Sequence, residues 1–149
     1  MSLKTQLADD LKAALRDRDE PRKIAIRLTL TAIKTSEVEK GSELDDAAVL
    51  TQIAKQVKQR RESIDAYKKA ERQDLVAQEE SELAVLQAYL PKQLSREELT
   101  QAAREVIAEV DASGPGDKGK VMSVLIKRLA GRAEGREINE VVTEILASL

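Results

Sequence analysis

The fold class follows from the periodicity of residues 45–69, DDAAVLTQIAKQVKQRRESIDAYKK. The large apolar side chains of this stretch recur at alternating three- and four-residue steps, a spacing that places them along one side of an α-helix. These side chains are Leu50, Ile53, Val57, Ile64 and Tyr67. Arg60 fills the one gap, where its long side chain can lie along the apolar surface with the charged end in solvent. We therefore predict a long helix, capped by Asp45 or Asp46, with a coiled-coil-like seam.

A second seam of the same kind follows, after a point near Arg72–Asp74 at which the chain can reverse. Its apolar residues are Val76, Leu83, Leu86 and Leu90. Two helices whose seams face each other across a short reversal form an antiparallel hairpin. We predict that this hairpin closes against two earlier helices and completes an N-terminal long-helix bundle.

The two earlier helices have recognisable starts and stops. Ser2 suits the N-cap of the first, Pro21 the first turn of the second, and Gly41 the end of the second. Apolar residues at steps of about four indicate the face that each helix buries. The predicted buried residues are Leu3, Leu7, Leu11 and Leu15 in the first helix, and Ile24, Leu28, Ile33 and Val38 in the second.

Pro91 and a capping box at Ser95 mark a boundary between two units. A proline ring cannot continue a helix, and a serine followed three residues later by a glutamate, here Glu98, begins a new one. The predicted domains are therefore a long-helix bundle at 1–91 and a smaller domain at 92–149.

The smaller domain is predicted to contain three helices. The loop at 113–116 separates the first two, and Gly131 ends the second. The predicted buried residues are Leu99, Val106, Ile107 and Val110, then Met122, Leu125, Ile126 and Leu129, then Ile138, Val141, Val142, Ile145 and Leu149. The fold class is therefore all-α, with an antiparallel hairpin in the bundle and a compact three-helix domain after it.

The composition excludes several classes of function. The 149 residues include no Cys and no His, so disulfides, thiolate nucleophiles and imidazole ligands are excluded. We expect no metal site and no cofactor, and no catalytic residue can be assigned. No apolar run reaches the roughly 18–20 residues of a transmembrane helix. The N-terminus is also unlike a signal peptide, and from this we expect a cytoplasmic protein.

The sharpest candidate site is the basic stretch 117–136, where only Asp117 and Glu134 are acidic. Its basic residues are Lys118, Lys120, Lys127, Arg128, Arg132 and Arg136. Glycines punctuate this stretch, and small residues at helix ends let backbone N–H groups approach an anion such as a nucleic-acid phosphate. The alternative is that these charges only complement the end of a helix. We expect the side chains that contact phosphate to be exposed.

A second basic stretch lies at 55–72, where Lys58 and Arg61 are candidate phosphate contacts. The alternative is charge pairing with the acidic residues on the opposite helix of the hairpin. The only aromatic residues, Tyr67 and Tyr89, are expected to pack in the core. Because sequence-specific reading of single strands usually needs aromatic stacking platforms, any contact is expected to be to the backbone of a folded RNA.

Two motifs in register resemble the GatB/YqeY family. Residues 89–99, YLPKQLSREEL, resemble the family's YLP-x-QLS-x-EEL hinge. Residues 119–122, GKVM, followed by 131–136, GRAEGR, and 138–139, IN, resemble its C-terminal signature. The order and spacing match over the whole chain, with one departure at Lys118, where relatives commonly have Met. The resemblance implies a helical bundle followed by a small three-helix domain.

The resemblance also implies kinship with the C-terminal part of the GatB subunit of tRNA-dependent amidotransferase, which converts Glu or Asp charged onto tRNA into Gln or Asn. In GatB the related domains help to hold the tRNA while catalysis lies elsewhere, so the family label of carbon–nitrogen ligase with glutamine as amido-N-donor is inherited. We expect a stand-alone accessory module that binds tRNA or associates with amidotransferase components. Two alternatives stay open: a component that acts only within an amidotransferase complex, and a non-catalytic helical protein–protein adaptor with no RNA partner.

Overall fold

The computed structural model describes every residue from Met1 to Leu149 and contains seven α-helices and no strand. The all-α class predicted from the sequence is therefore confirmed. The helices are α1 (Leu3–Asp17), α2 (Glu20–Lys40), α3 (Asp46–Lys69), α4 (Gln73–Gln87), α5 (Arg96–Glu109), α6 (Lys118–Arg128) and α7 (Gly135–Ala147). None of them combines the length and the apolar character that crossing a membrane requires.

The chain divides into two compact units, Met1–Leu90 and Pro91–Leu149. Each unit has a hydrophobic core of its own. That each unit folds by itself as a domain stays a prediction.

In the N-terminal unit, α3 packs along α4, and α2 packs against α1, α3 and α4. The core is formed by large apolar side chains from all four helices. Those with no exposed surface are Leu7, Ile26, Ile33, Val49, Ile53 and Leu86. Burial of such side chains contributes about 1.5–3 kcal/mol each relative to exposure, so this core stabilises the arrangement of α1 to α4.

The helix starts lie where the local sequence predicts them. The Ser2 hydroxyl accepts the backbone N–H of Thr5, and the Asp45 carboxylate accepts that of Ala48. At Ser95 both bonds of the capping box form, because the Ser95 hydroxyl accepts from the Glu98 backbone and the Glu98 carboxylate accepts from the Ser95 backbone. These side chains satisfy N–H groups that the first turn of a helix leaves without partners.

The predicted buried faces of α1 and α2 are wrong at three positions. Leu15, Leu28 and Val38 are 47%, 49% and 75% exposed. On α1, three four-residue steps from Leu3 add up to about 120° beyond whole turns, which moves Leu15 to the edge of the buried face. On α2, Leu28 and Val38 each lie five residues from the buried Ile33, which places them about 140° away around the helix. The residues that α2 buries completely are Ala25, Ile26, Thr29 and Ile33. The Thr29 hydroxyl donates to the backbone oxygen of Ala25 at 2.8 Å, which satisfies it inside the core.

The C-terminal unit packs α5, α6 and α7 around one core. Its fully buried large side chains include Leu99, Val106, Val121, Leu125, Ile138 and Leu146. Two predicted core residues are wrong, because Ile126 is 41% exposed and Leu149 is 63% exposed. On α6 the buried face is formed by Val121, Leu125 and Leu129, which lie four residues apart and leave Ile126 at the edge.

The segment before α5 is fixed to the loop that follows α6. The backbone N–H of Leu94 donates to the Arg132 backbone oxygen at 2.9 Å. The Gln93 side-chain amide donates to the Gly131 backbone oxygen at 2.6 Å. Gly131 has a φ of 74°, a conformation that side chains with a Cβ rarely adopt. Residues 93 and 94 of the first resembling motif therefore contact residues 131 and 132 of the second within this unit.

Candidate nucleic-acid interface

Lys120 and Lys127 lie on one face of α6 and point away from the core of the C-terminal unit. They are separated by seven residues, about two turns or 10 Å along the helix axis. Both are exposed, whereas Leu125 on the opposite face has no exposed surface. Lys127 forms no ion pair, and the only carboxylate near Lys120 is that of Asp117, 4.0 Å from its Nζ. The two ammonium groups are therefore available to an external anion.

Arg128 and Arg136 are exposed, but both already face a carboxylate. The Arg128 guanidinium donates to both oxygens of Glu109, at 3.0 and 2.8 Å. These hydrogen bonds hold the pKa of Glu109 below its usual range. Arg136 Nε lies 3.4 Å from Glu140 Oε1, and Arg96 Nη1 lies 3.4 Å from Glu140 Oε2. A phosphate would have to compete with these partners, although exposed pairs of this kind contribute little to stability.

Lys118 and Arg132 are half-buried, so the prediction that the phosphate-contacting side chains are exposed is wrong for Arg132. Lys118 is nine residues from Lys127, which places it about 180° away around α6, on the side nearer the core. Arg132 lines a cleft of about 410 Å³ whose other charged side chains are Glu97, Glu98 and Glu105. The structure therefore does not bring the six basic residues of 117–136 to one surface.

Lys58 and Arg61 are exposed on α3 in the N-terminal unit. They are three residues apart and are therefore neighbours on the helix surface. Neither forms an ion pair with the acidic residues of α4, and the one ion pair between α3 and α4 is that of Arg60 with Glu82. Charge pairing across the hairpin, the alternative interpretation of this basic stretch, is therefore limited to one buried ion pair.

Arg60 does not extend its charged end into solvent, so that interpretation is wrong. Its side chain is 6% exposed and that of Glu82 is 4% exposed. Arg60 Nη2 donates to Glu82 Oε1 at 3.2 Å, and Nη1 donates to the Gln56 side-chain oxygen at 3.1 Å and its backbone oxygen at 3.4 Å. The second Glu82 oxygen accepts from Gln78 at 3.5 Å. A charge that is buried this deeply is tolerated because it is paired.

Glu79 lies beside this pair, and its carboxylate is unfavourable at neutral pH. Burial raises the pKa of Glu79, the Glu82 carboxylate raises it further, and Arg60 opposes the shift. A carboxyl group whose pKa is raised in the folded state binds its proton more tightly there, so folding becomes less favourable as the pH rises through that pKa. We therefore expect Glu79→Gln to raise the melting temperature at pH 7 and to have no such effect below about pH 4, where glutamate is protonated in both states.

The matched control for this change is Glu80→Gln, the same substitution one residue further on the exposed side of α4. Thermal unfolding of parent and both variants at pH 7 and pH 3 is the measurement. A Glu79→Gln gain that is equal at the two pH values, or is matched by Glu80→Gln, would contradict an origin in the buried carboxylate.

Tyr67 and Tyr89 are half-buried, and Tyr89 packs against the core of the N-terminal unit. The Tyr89 hydroxyl donates to the Asp10 carboxylate. Burial raises the pKa of this hydroxyl, and the hydrogen bond to Asp10 raises it further. Neither ring is presented as an exposed stacking platform. No group of three or more Asp, Glu, His or Cys side chains is arranged to hold a metal ion.

Three curated relatives are similar to this chain, and all are named "Altered inheritance of mitochondria protein 41, mitochondrial". The Kluyveromyces lactis protein is 32% identical over 136 residues, which cover 89% of this chain and 69% of the relative. The Lachancea thermotolerans protein is 35% identical over 73% of this chain and 60% of its own length. The Saccharomyces cerevisiae protein is 38% identical over 56% of this chain and 46% of its own length. The chain thus spans between about half and about two thirds of these relatives.

The names of these relatives place them in mitochondria. This finding contradicts the cytoplasmic location predicted from the sequence, which rested on the lack of a recognisable targeting segment. A missing local signal was therefore an insufficient basis for that prediction.

A sequence model of one protein family, described as "Yqey-like protein", matches residues 4–146. The match includes all seven helices except the first residue of α1 and the last residue of α7. It also includes the hinge at 89–99 and the signature at 119–139, the two regions whose residues carry the resemblance. This chain belongs to the YqeY-like protein family.

Proposed function

We propose that this chain is a non-catalytic accessory module that binds tRNA through phosphate contacts. The observation that carries the proposal is the pair of exposed lysines on α6, Lys120 and Lys127, which share a face. Lys127 forms no ion pair, and the one carboxylate near Lys120 is that of Asp117, at 4.0 Å. Lysine ammonium groups of this kind bind phosphate as point charges and release condensed counterions from a nucleic acid.

The proposed contacts are to the backbone, because the chain offers no exposed aromatic platform for bases. Its two tyrosines are half-buried, and there is no Trp or Phe. Lys58 and Arg61 supply a second exposed basic pair on the N-terminal unit. In this proposal Arg128 and Arg136 contact the RNA only when a phosphate displaces Glu109 or Glu140. Lys118 and Arg132 contribute less to RNA binding because they are half-buried.

The tRNA partner and an association with amidotransferase rest on the resemblance to GatB, in which related domains help to hold the substrate tRNA. In that setting this chain would supply binding and not the carbon–nitrogen bond-forming step.

The near-neutral charge of the C-terminal unit, with nine Lys and Arg against ten Asp and Glu, favours the second candidate: a protein–protein adaptor without an RNA partner.

The double variant Lys120→Ala/Lys127→Ala tests the proposal. It should weaken tRNA binding to a similar extent for different tRNAs, because phosphate contacts carry no sequence information. It should also reduce the slope of log affinity against log salt concentration by about 1.4–1.8, since each lost contact removes about 0.7–0.9. Filter binding at a series of salt concentrations measures both effects.

The matched control is Lys12→Ala/Lys34→Ala, which removes the same charge from two exposed lysines on α1 and α2 that form no ion pair. The control should leave the slope unchanged. If the α6 variant folds normally and binds with the parent's affinity and slope, the α6 face is not the interface. If Lys58→Ala/Arg61→Ala also binds as the parent does, or the parent binds no tRNA, the adaptor function is favoured.

A further inference from the structure

The face of α6 that carries Lys120 and Lys127 has a hydroxyl group between the two lysines. Ser123 comes three residues after Lys120 and four before Lys127, so it is a neighbour of both on the helix surface. These steps are about 4.5 and 6 Å along the helix axis. Ser123 is exposed, as both lysines are. A nucleic-acid strand that runs from one lysine to the other therefore passes over the Ser123 hydroxyl.

The surface beside Ser123 is low and open. Gly119 lies about one turn before Ser123 and is exposed. A Cβ at Gly119 would meet no other side chain and no other element within 4 Å, so nothing in the chain covers this side of α6. The small residues at 119 and 123 let a strand approach the helix closely while the longer lysine side chains reach its phosphates.

The hydrogen of the Ser123 hydroxyl is already in use. Ser123 Oγ donates to the Lys120 backbone oxygen at 3.1 Å. A hydroxyl group has one hydrogen and two acceptor lone pairs, so the outward side of Ser123 Oγ offers acceptors only. Phosphate oxygens are themselves acceptors and do not complement it. The ribose 2′-hydroxyl can donate, and it is the backbone group that distinguishes RNA from DNA.

We propose that Ser123 Oγ accepts a hydrogen bond from a ribose 2′-hydroxyl of an RNA whose phosphates contact Lys120 and Lys127. This inference rests on the proposed function and adds the feature that selects the type of nucleic acid. The two lysines alone would bind the phosphates of RNA and DNA alike, whereas Ser123 favours RNA. The selection requires no contact to a base, in accord with the lack of an exposed aromatic side chain.

The test compares Ser123→Ala with the parent chain on two probes, a tRNA transcript and a DNA oligonucleotide of the same sequence. Filter binding is carried out at a salt concentration low enough for the parent to bind both. Ser123→Ala should weaken binding of the RNA by about two- to tenfold, the range for one neutral hydrogen bond, and should leave binding of the DNA unchanged. Because no charge is removed, the salt slope should stay that of the parent.

The matched control is Ser81→Ala, since Ser81 is an exposed serine on α4 whose Oγ donates to the Ala77 backbone oxygen at 3.0 Å. Both variants should fold, because alanine favours a helix more than serine does, and Ser81→Ala should bind both probes as the parent does. An equal loss for RNA and DNA in Ser123→Ala would show a phosphate contact and would overturn the inference.

No loss for either probe in Ser123→Ala would overturn the inference as well. In both cases the proposed function stands if the parent binds tRNA and Lys120→Ala/Lys127→Ala weakens that binding. If the parent binds neither probe, the proposed function is wrong, and the role of Ser123 is refuted with it.

Discussion

Arg60→Ala should lower the free energy of unfolding of the N-terminal unit by about 3–5 kcal/mol, because removing one partner of a buried ion pair leaves the other charge uncompensated. The Glu82 side chain is 4% exposed, and without Arg60 its carboxylate keeps only the contact to Gln78 at 3.5 Å. Glu82→Ala should have an effect of similar size, since it leaves the guanidinium buried with only the oxygens of Gln56 as acceptors.

The double variant Arg60→Met/Glu82→Met should be far more stable than either single variant. Replacing both members of a buried pair by apolar residues of similar volume is often neutral, or stabilising by about 1–4 kcal/mol, because the cost of desolvating two charges is removed. The contrast between single and double variants separates the burial of an unpaired charge from a simple loss of packing.

Urea unfolding followed by tyrosine fluorescence is a suitable measurement for this series. Tyr67 and Tyr89 are the only aromatic residues, and both lie in the unit Met1–Leu90, so their emission follows this unit alone. Single variants that lose less than about 1 kcal/mol would show that solvent reaches the remaining charge. A double variant as unstable as the singles would show that the pair itself contributes strongly to stability.

Helix starts could be predicted from the sequence because their signals are local. Ser2, Asp45 and Ser95 each cap a turn that begins at the next residue, and no distant contact is needed for those bonds. The buried faces were less predictable. A search for large apolar residues misses Thr29, a polar residue that is completely buried on α2. Which side of a helix faces the core depends on where its neighbours lie, and the repeat alone does not contain that information.

The partner of Arg60 was within reach of the sequence. Glu82 lies four residues before Leu86, so the two share the buried face of α4 opposite the seam that contains Arg60. The ion pair of Arg128 with Glu109 could not be predicted from the sequence, because these residues are 19 positions apart and meet only when α5 packs against α6. Sequence reasoning can therefore locate the basic residues, but the tertiary structure decides which of them stay free.

Leu125→Ala should unfold most of the C-terminal unit while leaving the N-terminal unit intact. Leu125 has no exposed surface and belongs to the core of α5, α6 and α7. Truncating a buried leucine to alanine costs about 2–5 kcal/mol. A unit of about 60 residues rarely has more than about 3–5 kcal/mol of stability from its core, so this substitution removes most of it.

Two signals distinguish the units in this experiment. Helices α5, α6 and α7 contain 14, 11 and 13 residues, against 15, 21, 24 and 15 in α1 to α4. Unfolding of the C-terminal unit should therefore remove about a third of the helical circular dichroism, whereas the unfolding midpoint measured by tyrosine fluorescence should not move. Ile126→Ala is the matched control, because this neighbouring residue is 41% exposed and its truncation should leave both signals nearly unchanged.

The outcome for Leu125→Ala also decides whether the two units are domains in the thermodynamic sense. Independent units unfold in separate transitions, and a core substitution in one does not change the midpoint of the other. If tyrosine fluorescence and circular dichroism shift together in the variant, the units unfold as one cooperative structure and the boundary at Pro91 is only a break between helices. If they separate, the C-terminal unit is a self-contained three-helix domain. The Lys120 and Lys127 pair then belongs to a domain whose tRNA binding Leu125→Ala should abolish.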